Sequence, residues 1–230
     1  MIPVFGVAYV SQSGLLRKMF ESIDCSVDRL IVIDNSPTGD APCPEGSIHV
    51  ATRHNLGVAA SWNLIIKATP MAPWWCIVNS DIEFEKGDLS RLAGNILPGP
   101  GIFQLDGFAA FAITRKAVEL IGLFDENFVP AYYEDNDFYR RAILTGVPVI
   151  EVPSRLRHAG SMVIRGSEHY ASENRRTFPR NGDYYRCKWG GLPGSETYAT
   201  PFDRGGSPAQ WEFDQKRLVE LTWKPEKESR

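Results

Sequence analysis

Trp74-Trp75-Cys76-Ile77-Val78-Asn79-Ser80-Asp81 decides the fold class. Its apolar run is short and rich in β-formers, so it reads as a strand buried on both faces. The run stops on three polar residues. Leu30-Ile31-Val32-Ile33 repeats the pattern and ends in Asp34-Asn35-Ser36-Pro37, a turn signal. Between and before these strands lie stretches of helical period. Leu15, Leu16, Met19, Phe20 and Ile23 follow a first strand at Val4–Val10, and Val58 to Ala68 forms a helix stopped by Pro70. Ser47–Ala51 supplies a third strand, and a helix follows Asp81 over Lys86–Asn95. Strands alternating with helices imply βαβ units and a mostly parallel sheet. Ligands bind such sheets beyond the carboxyl ends of the strands, where Asp34, Asn35, Asn79 and Asp81 sit.

The second half continues more loosely. Gly107–Thr114 reads as a strand, Arg115–Ile121 as a short helix and Phe124–Tyr133 as an aromatic, irregular segment. Glu134–Leu144 is a helix ending at Gly146, and Val147–Val152 is a further strand. Beyond His158 the chain is polar and broken by Gly190-Gly191 and Gly205-Gly206, with a last helix expected over Gln210–Leu221.

Composition sets outer bounds. The 230 residues are 43% hydrophobic and 23% charged, which is ordinary globular usage and excludes disordered, collagen-like and coiled-coil chains. The net charge of −3 is a poor footprint for a dedicated nucleic-acid binder. The charge is unevenly spread. Residues 79–137 carry 11 acids against 4 bases, and residues 151–190 carry 8 bases against 4 acids. An acidic middle before a basic stretch suits a metal site beside an anionic ligand, and reads equally as solvated surface. Cys25, Cys43, Cys76 and Cys187 form no CxxC pair, so neither a zinc module nor a disulfide framework is indicated and a reducing compartment is expected. No stretch approaches 18 consecutive apolar residues, and Met1 to Val10 lacks a basic start. The expectation is a cytoplasmic protein without a transmembrane segment, with peripheral membrane contact left open.

Several residues could carry chemistry, and each has a plain structural alternative. Asp34 can accept hydrogen bonds from a ribose or base, or form an Asx turn. In Arg53-His54-Asn55-Leu56-Gly57, Gly57 permits close backbone approach, and Asn55 can cap the following helix. Asn63 is a mediocre helix former inside an apolar helix, which asks for a reason. In Asn79-Ser80-Asp81, an acid at a strand end suits a hard divalent cation shared with phosphate oxygens, or a turn. In Tyr132-Tyr133-Glu134-Asp135-Asn136-Asp137 the acids suit a helix N-terminus. Spacing separates them. Asp137 has Arg140 and Arg141 at i+3 and i+4, the spacing of a helix ion pair. Asp135 shares its face with Phe138, Tyr139 and Ala142, where desolvation would raise its pKa toward that of a general base. His158 is a lone histidine. Tyr184 to Trp189 interleaves aromatics with bases, which could hold a sugar or phosphate or simply pack.

Taken in order, these pieces resemble the inverting glycosyltransferases of family 2, which have the GT-A fold. The resemblance runs from about Val4 to Ser161. It rests on Leu30 to Ser36, on Asn55-Leu56-Gly57 with Asn63, and on Asn79-Ser80-Asp81 at the place of the metal-binding DXD motif. Gly122-Leu123-Phe124-Asp125-Glu126-Asn127-Phe128, then Tyr133-Glu134-Asp135-Asn136-Asp137 and His158-Ala159-Gly160-Ser161, resemble its rhamnosyltransferase-like branch.

The resemblance implies a Rossmann-like, mostly parallel central sheet flanked by helices, with a helical or irregular C-terminal extension. Residues 1–165 would form the catalytic domain, with 1–100 holding the nucleotide-sugar and 101–165 the acceptor side. Residues 166–230 would pack on the same domain. It implies a donor site of Val10, Ser11, Asp34, Arg53, Asn55, Asn63, Asn79 and Ser80. Asp81 and His158 would bind Mn²⁺ or Mg²⁺, and Asp135 would be the catalytic base. Glu134, Asp137 and Trp189 would serve the acceptor or a secondary role. The donor would be a UDP-, dTDP- or GDP-linked sugar and the acceptor a carbohydrate-type hydroxyl, with rhamnosyl transfer suggested by the branch. Asn79 departs from the family's first Asp. The family's QxxRW polymerase motif is absent, which argues against a processive synthase. Two other readings remain at this point: a phage-type nucleic-acid base glycosyltransferase, motivated by the basic stretch, and a catalytically silent sugar-nucleotide or glycan-binding module, motivated by Asn79.

Overall fold

The computed structural model describes residues 1–160 and 166–203. The helix expected over Gln210–Leu221, and Ser161 of the last motif, lie outside the described residues. Residues 1–174 form one compact unit, and a second begins at Arg175.

The first unit is built on strands β1 (Ile2–Tyr9), β2 (Val27–Asp34), β3 (Ile48–Ala51), β4 (Trp74–Asn79), β6 (Ile102–Asp106), β7 (Ala110–Thr114) and β8 (Val149–Glu151). They form one sheet in the order β3-β2-β1-β4-β7-β6-β8. Strands β3, β2, β1 and β4 are parallel; β7 is antiparallel to both β4 and β6, and β8 is parallel to β6. Only β7 therefore runs against the rest. Two-residue strands β5 (Ile82–Glu83) and β9 (Arg157–His158) pair as a separate antiparallel ribbon.

Helices cover both faces. Alternation along the strands sends Phe5, Val7, Val32, Cys76 and Val78 to one face, where Leu16 and Met19 of α1 (Ser13–Glu21) and Leu89 and Leu92 of α3 (Asp88–Asn95) meet them. Val4, Ile31, Ile33, Trp75 and Ile77 go to the other face. There they meet α2 (Val58–Ala68), α4 (Arg115–Ile121) and α5 (Glu134–Thr145) through Trp62, Ile65, Ala117, Ile121, Phe138 and Ala142. Helix α2 lies so close to β1 that a Cβ on Gly6 would stand 2.5 Å from the Ile65 side chain. An aromatic group of Trp62, Phe108, Phe111, Phe124 and Phe138 fills the space between α2, β7 and α5.

The α/β class and the mostly parallel sheet expected from the sequence are what the structure has. Several boundaries move for local reasons. The strand expected from Gly107 starts at Ala110, because Gly107 takes φ 49° in a turn out of β6, a strand the sequence reading did not separate. The helix expected from Lys86 starts at Asp88, after Gly87 at φ 88°. Strand β8 is three residues long, beginning after Pro148, which has no amide to donate. In the last stretch, helix α6 (Glu168–Trp189) begins in the first unit and ends in the second.

Candidate active site

Strand order reverses beside β1, whose neighbours β2 and β4 lead away in opposite directions. Open α/β sheets leave a crevice at such a point. Here it is a cavity of about 350 Å³. Its walls are Tyr9 and Val10 after β1, Asn79, Ser80 and Asp81 after β4, and Asn55, Gly57, Val58 and Trp62 at the start of α2. Phe108 and Ala109 of the β6–β7 turn, Pro130 to Tyr132, Glu134 and Asp135 of α5, and His158 of β9 complete it, with Tyr170, Glu173 and Asn174 from the first turns of α6.

Two carboxylate-bearing corners face this space. Asp81 and His158 stand 77 positions apart in sequence and are joined by the β5–β9 ribbon, which pairs Ile82 with His158. The Ala159 amide donates to the Asp81 carbonyl at 3.0 Å. His158 Nε2 comes to 3.4 Å from Asp81 Oδ1, and its Nδ1 lies 2.7 Å from Asp106 Oδ2. The hydrogen bond to Asp81 raises the His158 pKa, with help from the charges of Asp81 and Asp106 and against the effect of burial. Among the described residues, no three His, Cys, Asp or Glu side chains converge as a ready metal cage. The donor set still fits a divalent ion. One carboxylate oxygen and one imidazole nitrogen stand 3.4 Å apart on the cavity wall, and oxygens of a phosphate-bearing ligand would supply the remaining positions. The second ring nitrogen is bound to a carboxylate, as is usual for metal-ligating histidine.

The other corner is the start of α5. Tyr132 and Tyr133 precede it at φ 75° and 74°, a conformation uncommon for residues other than glycine and concentrated at functional sites. The turn they make delivers Glu134 and Asp135 to the cavity. Burial pushes the Asp135 carboxyl above its ordinary pKa, against the amide hydrogen bonds of Asn136, Asp135 and Tyr133. Glu134 is 5% exposed, and its Oε2 is buried without a hydrogen-bond partner. Burial, and then the charge of Asp135, pushes its carboxyl well above the usual range. Trp62 Nε1 on the same cavity is also buried and unpartnered. Buried polar atoms without partners are few in native proteins, and these two flank one space.

Of the remaining sequence candidates, Asn55 and Gly57 lie on the cavity wall and the others do not. The Asp34 side chain is fully buried and does not line the cavity. It accepts from the amides of Ser36 at 2.9 Å and Ala41 at 2.8 Å, and His49 Nε2 lies 3.0 Å away. Burial alone would raise its pKa, but hydrogen bonds from Ser36, Ala41 and His49 outweigh that and hold it low. Asn63 is buried against the Phe124-Asp125-Glu126 loop. Its Nδ2 donates to the Phe124 carbonyl at 2.9 Å and Glu126 Oε1 at 2.8 Å, and its Oδ1 accepts the Phe124 amide at 2.9 Å. That is the reason for an asparagine in an apolar helix. Asp137 is buried and binds Arg141 Nε at 2.9 Å, while Arg141 Nη1 donates to the Ile121 carbonyl, tying α5 to α4. Arg53 is exposed at φ 60°, and neither it nor Ser11 lines the cavity; the Ser11 hydroxyl is buried without a partner. Trp189 is fully buried at the end of α6 and is not a cavity residue. Asn55 accepts the Gly57 amide at 3.0 Å rather than capping α2. Gly57 has φ 85°, and a Cβ there would stand 2.8 Å from the Pro130 carbonyl oxygen. The Val58 amide donates to that oxygen at 2.7 Å.

Sequence reading missed Tyr9, Trp62, Phe108, Asp106 and Tyr170. Asp106-Gly107 was readable as a hairpin turn; the others carry no local signal.

No family model matches the chain. A galactofuranosyl glycosyltransferase of Leishmania donovani is 40% identical over 62 residues, which are 25% of this chain and 14% of that protein. The match thus spans about a seventh of that relative's length. A Drosophila β1,4-galactosyltransferase 7 mutant, solved with manganese, UDP-Gal and xylobiose, superposes with a TM-score of 0.53 at 9% identity, over 71% of this chain and 74% of that one. A mannosyltransferase of Pyrobaculum calidifontis, solved with GDP-Man and Mn²⁺, gives 0.52 at 12% identity, over 96% and 81%. These likenesses are of fold: the chain has the Rossmann-like GT-A architecture.

Proposed function

We propose that this chain is a metal-dependent, inverting glycosyltransferase of the family 2 type, transferring a sugar from a nucleotide-diphospho-sugar to a hydroxyl of a carbohydrate-type acceptor. One observation carries the reading. A single cavity at the sheet's switch point is lined both by the Asp81–His158 pair and by Glu134 and Asp135. A cation-binding corner and a desolvated carboxylate on one cavity are the two parts that inverting transfer from a diphosphate needs. The similar structures were solved with UDP- or GDP-linked donors and manganese, and the local relative's name is that of a glycosyltransferase.

Asp81 and His158 hold Mn²⁺ or Mg²⁺. Such an ion, when bound, neutralises charge on the departing diphosphate. Val10, Asn55, Asn79 and Ser80 border the donor. Ser11 and Arg53 help hold its nucleotide from beside the cavity. Asp34 and Asn63 act on the same site indirectly, by fixing the loops after β2 and before α5. Asp135 takes the proton from the acceptor hydroxyl. The freed oxygen attacks the anomeric carbon opposite the diphosphate, the bond from that carbon to the diphosphate oxygen breaks, and the configuration inverts. Glu134 faces the reacting sugars with one unpartnered carboxyl oxygen, and Trp62 with an unpartnered indole N–H. Both await hydroxyl partners. The sugar is a hexosyl or deoxyhexosyl unit, the rhamnosyl-type branch and the galactofuranosyl relative being the two pointers. The free cysteines Cys25, Cys43, Cys76 and Cys187 support a reducing, cytoplasmic setting, and no helix among the described residues is long and apolar enough to cross a membrane.

The test is a transfer assay with UDP-, dTDP- and GDP-sugars over a panel of saccharide acceptors. Wild-type protein should give product of inverted configuration. Asp135→Asn should lower transfer by about 10²–10⁴-fold while donor binding persists. Donor binding with no transfer by the wild type would favour a silent binding module, and undiminished transfer by Asp135→Asn would remove Asp135 as base.

A further inference from the structure

We infer that Asp106 is a positioning residue for the cation site: from behind His158 it fixes which ring nitrogen is presented to Asp81. The inference rests on the metal-dependent reading above. Asp106 does not line the cavity and touches nothing that reacts. Its carboxylate is 42% exposed, so the core does not require it. Its Oδ2 nevertheless lies 2.7 Å from His158 Nδ1, while Nε2 of the same ring points at Asp81 Oδ1, 3.4 Å away.

The chemistry of the three groups sets the roles. An ionised carboxylate only accepts hydrogen bonds. The bond to Asp106 therefore places a proton on Nδ1. In the neutral ring this leaves the Nε2 lone pair turned toward Asp81, into the cavity. A histidine ligates a cation through a lone pair, and the hydrogen bond made by its other nitrogen decides which one is free. Without Asp106, the tautomer and the ring angle lose that restraint.

The backbone around Asp106 is arranged to hold it there. The β6–β7 register slips between Gln104 and Asp106, an irregularity of the kind that re-aims side chains beside active sites. The chain then turns at Gly107, with the Ala109 amide donating to the Asp106 carbonyl at 2.9 Å. On the far side, the β5–β9 ribbon fixes His158 opposite Ile82, next to Asp81. Two separate pieces of sheet thus fix one imidazole, the ribbon through the backbone of His158 and β6 through Nδ1.

The experiment uses the full chain and two readouts besides activity. Mn²⁺ is titrated alone and with UDP or GDP, with free Mn²⁺ followed by electron paramagnetic resonance. Asp106→Ala should weaken Mn²⁺ binding by about 10- to 100-fold. Asp106→Asn, whose amide oxygen still accepts from Nδ1–H, should stay within a few-fold of wild type. Equal affinity in wild type and Asp106→Ala overturns the inference and leaves the metal reading standing. Absence of Mn²⁺ binding by the wild type under every condition overturns both. In the second readout, ¹⁵N-labelled histidine spectra at alkaline pH, where the ring is neutral, should show His158 as the Nδ1–H tautomer in wild type and shifted toward Nε2–H in Asp106→Ala. The wild-type spectrum needs no variant to fold, and an Nε2–H tautomer there overturns the inference.

Discussion

Two sets of acids sit at the carboxyl ends of the same sheet, and the chain treats them differently. At the end of β2, Asp34 is closed: backbone amides and His49 occupy its carboxylate, and its side chain is shut off from solvent. At the end of β4 and the start of α5, the acids are open. Asp81 shares its contact with a half-exposed histidine, Asp135 keeps a raised pKa, and Glu134 has an oxygen with no partner. A carboxylate whose hydrogen-bonding capacity is met by its own fold stabilises the fold. One left short, on a cavity wall, is available to a ligand. The difference lies in the supply of nearby donors and not in residue type, since Asp34 and Asp81 are both aspartates at strand ends.

The comparison breaks if variants in the two sets fail in the same way. The largest effect belongs to the open set: Asp135→Asn loses about 10²–10⁴-fold in transfer rate, with a melting temperature near wild type. Next comes the closed set. Asp34→Ala leaves two buried amides unpaired and should cost about 3 kcal/mol, or roughly 6–12 °C in Tm for a chain of this size, read by thermal denaturation. Its donor affinity per folded molecule should fall a few-fold, because the loop after β2 that Asp34 fixes borders the site.

The pH responses also separate the sets. The Asp34 pKa is lower in the folded chain than in the unfolded one. Its stabilising contribution is therefore present above the unfolded carboxylate value of 3.8 and is lost as pH falls through the lower folded value. Asp34→Asn should remove that acid-sensitive part of the stability curve. Asp135 is raised, and only its ionised form can accept the proton. The acid limb of kcat/KM should accordingly lie above 3.8, the ordinary aspartate value. The smallest effect is expected at Glu134. Glu134→Gln preserves shape and hydrogen-bonding capacity and should change KM for a sugar substrate only a few-fold. Glu134→Ala should raise KM further, by roughly tenfold, the cost of about one lost hydrogen bond; steady-state kinetics compares the two.

How legible each region was in the sequence follows from how local its causes are. The strands at Trp74–Val78 and Leu30–Ile33 declare themselves because parallel strands covered on both faces are continuous apolar runs. Asp135 and Asp137 are separable by helix spacing alone, since an i,i+4 arginine is written beside one of them. Strand β6 hides behind Gly-Pro-Gly and a short run that could be helix or strand. The β5–β9 ribbon hides because two-residue strands have no period. Its consequence, the meeting of Asp81 with His158, is a matter of tertiary pairing that spacing does not report. Asp34 shows the limit from the other side. Its position at a strand end suggested a ligand contact, but a loop seven residues later supplies the Ala41 amide that occupies it, and no sequence pattern announces where that amide goes. Asn63 was legible as an oddity, and only the Phe124 backbone explains it.

The central claim is that the open acids make one site for a cation and a nucleotide. Thermal denaturation of the full chain with UDP, dTDP or GDP, each with Mn²⁺ or with EDTA, tests it most directly. A nucleotide at 100 times its Kd should stabilise by about 2.7 kcal/mol. The account predicts that shift with one nucleotide, dependent on Mn²⁺ and abolished by Asp81→Ala but not by Asp135→Asn. A cooperative transition unmoved by every nucleotide with Mn²⁺, or a shift that survives Asp81→Ala in full, would contradict it.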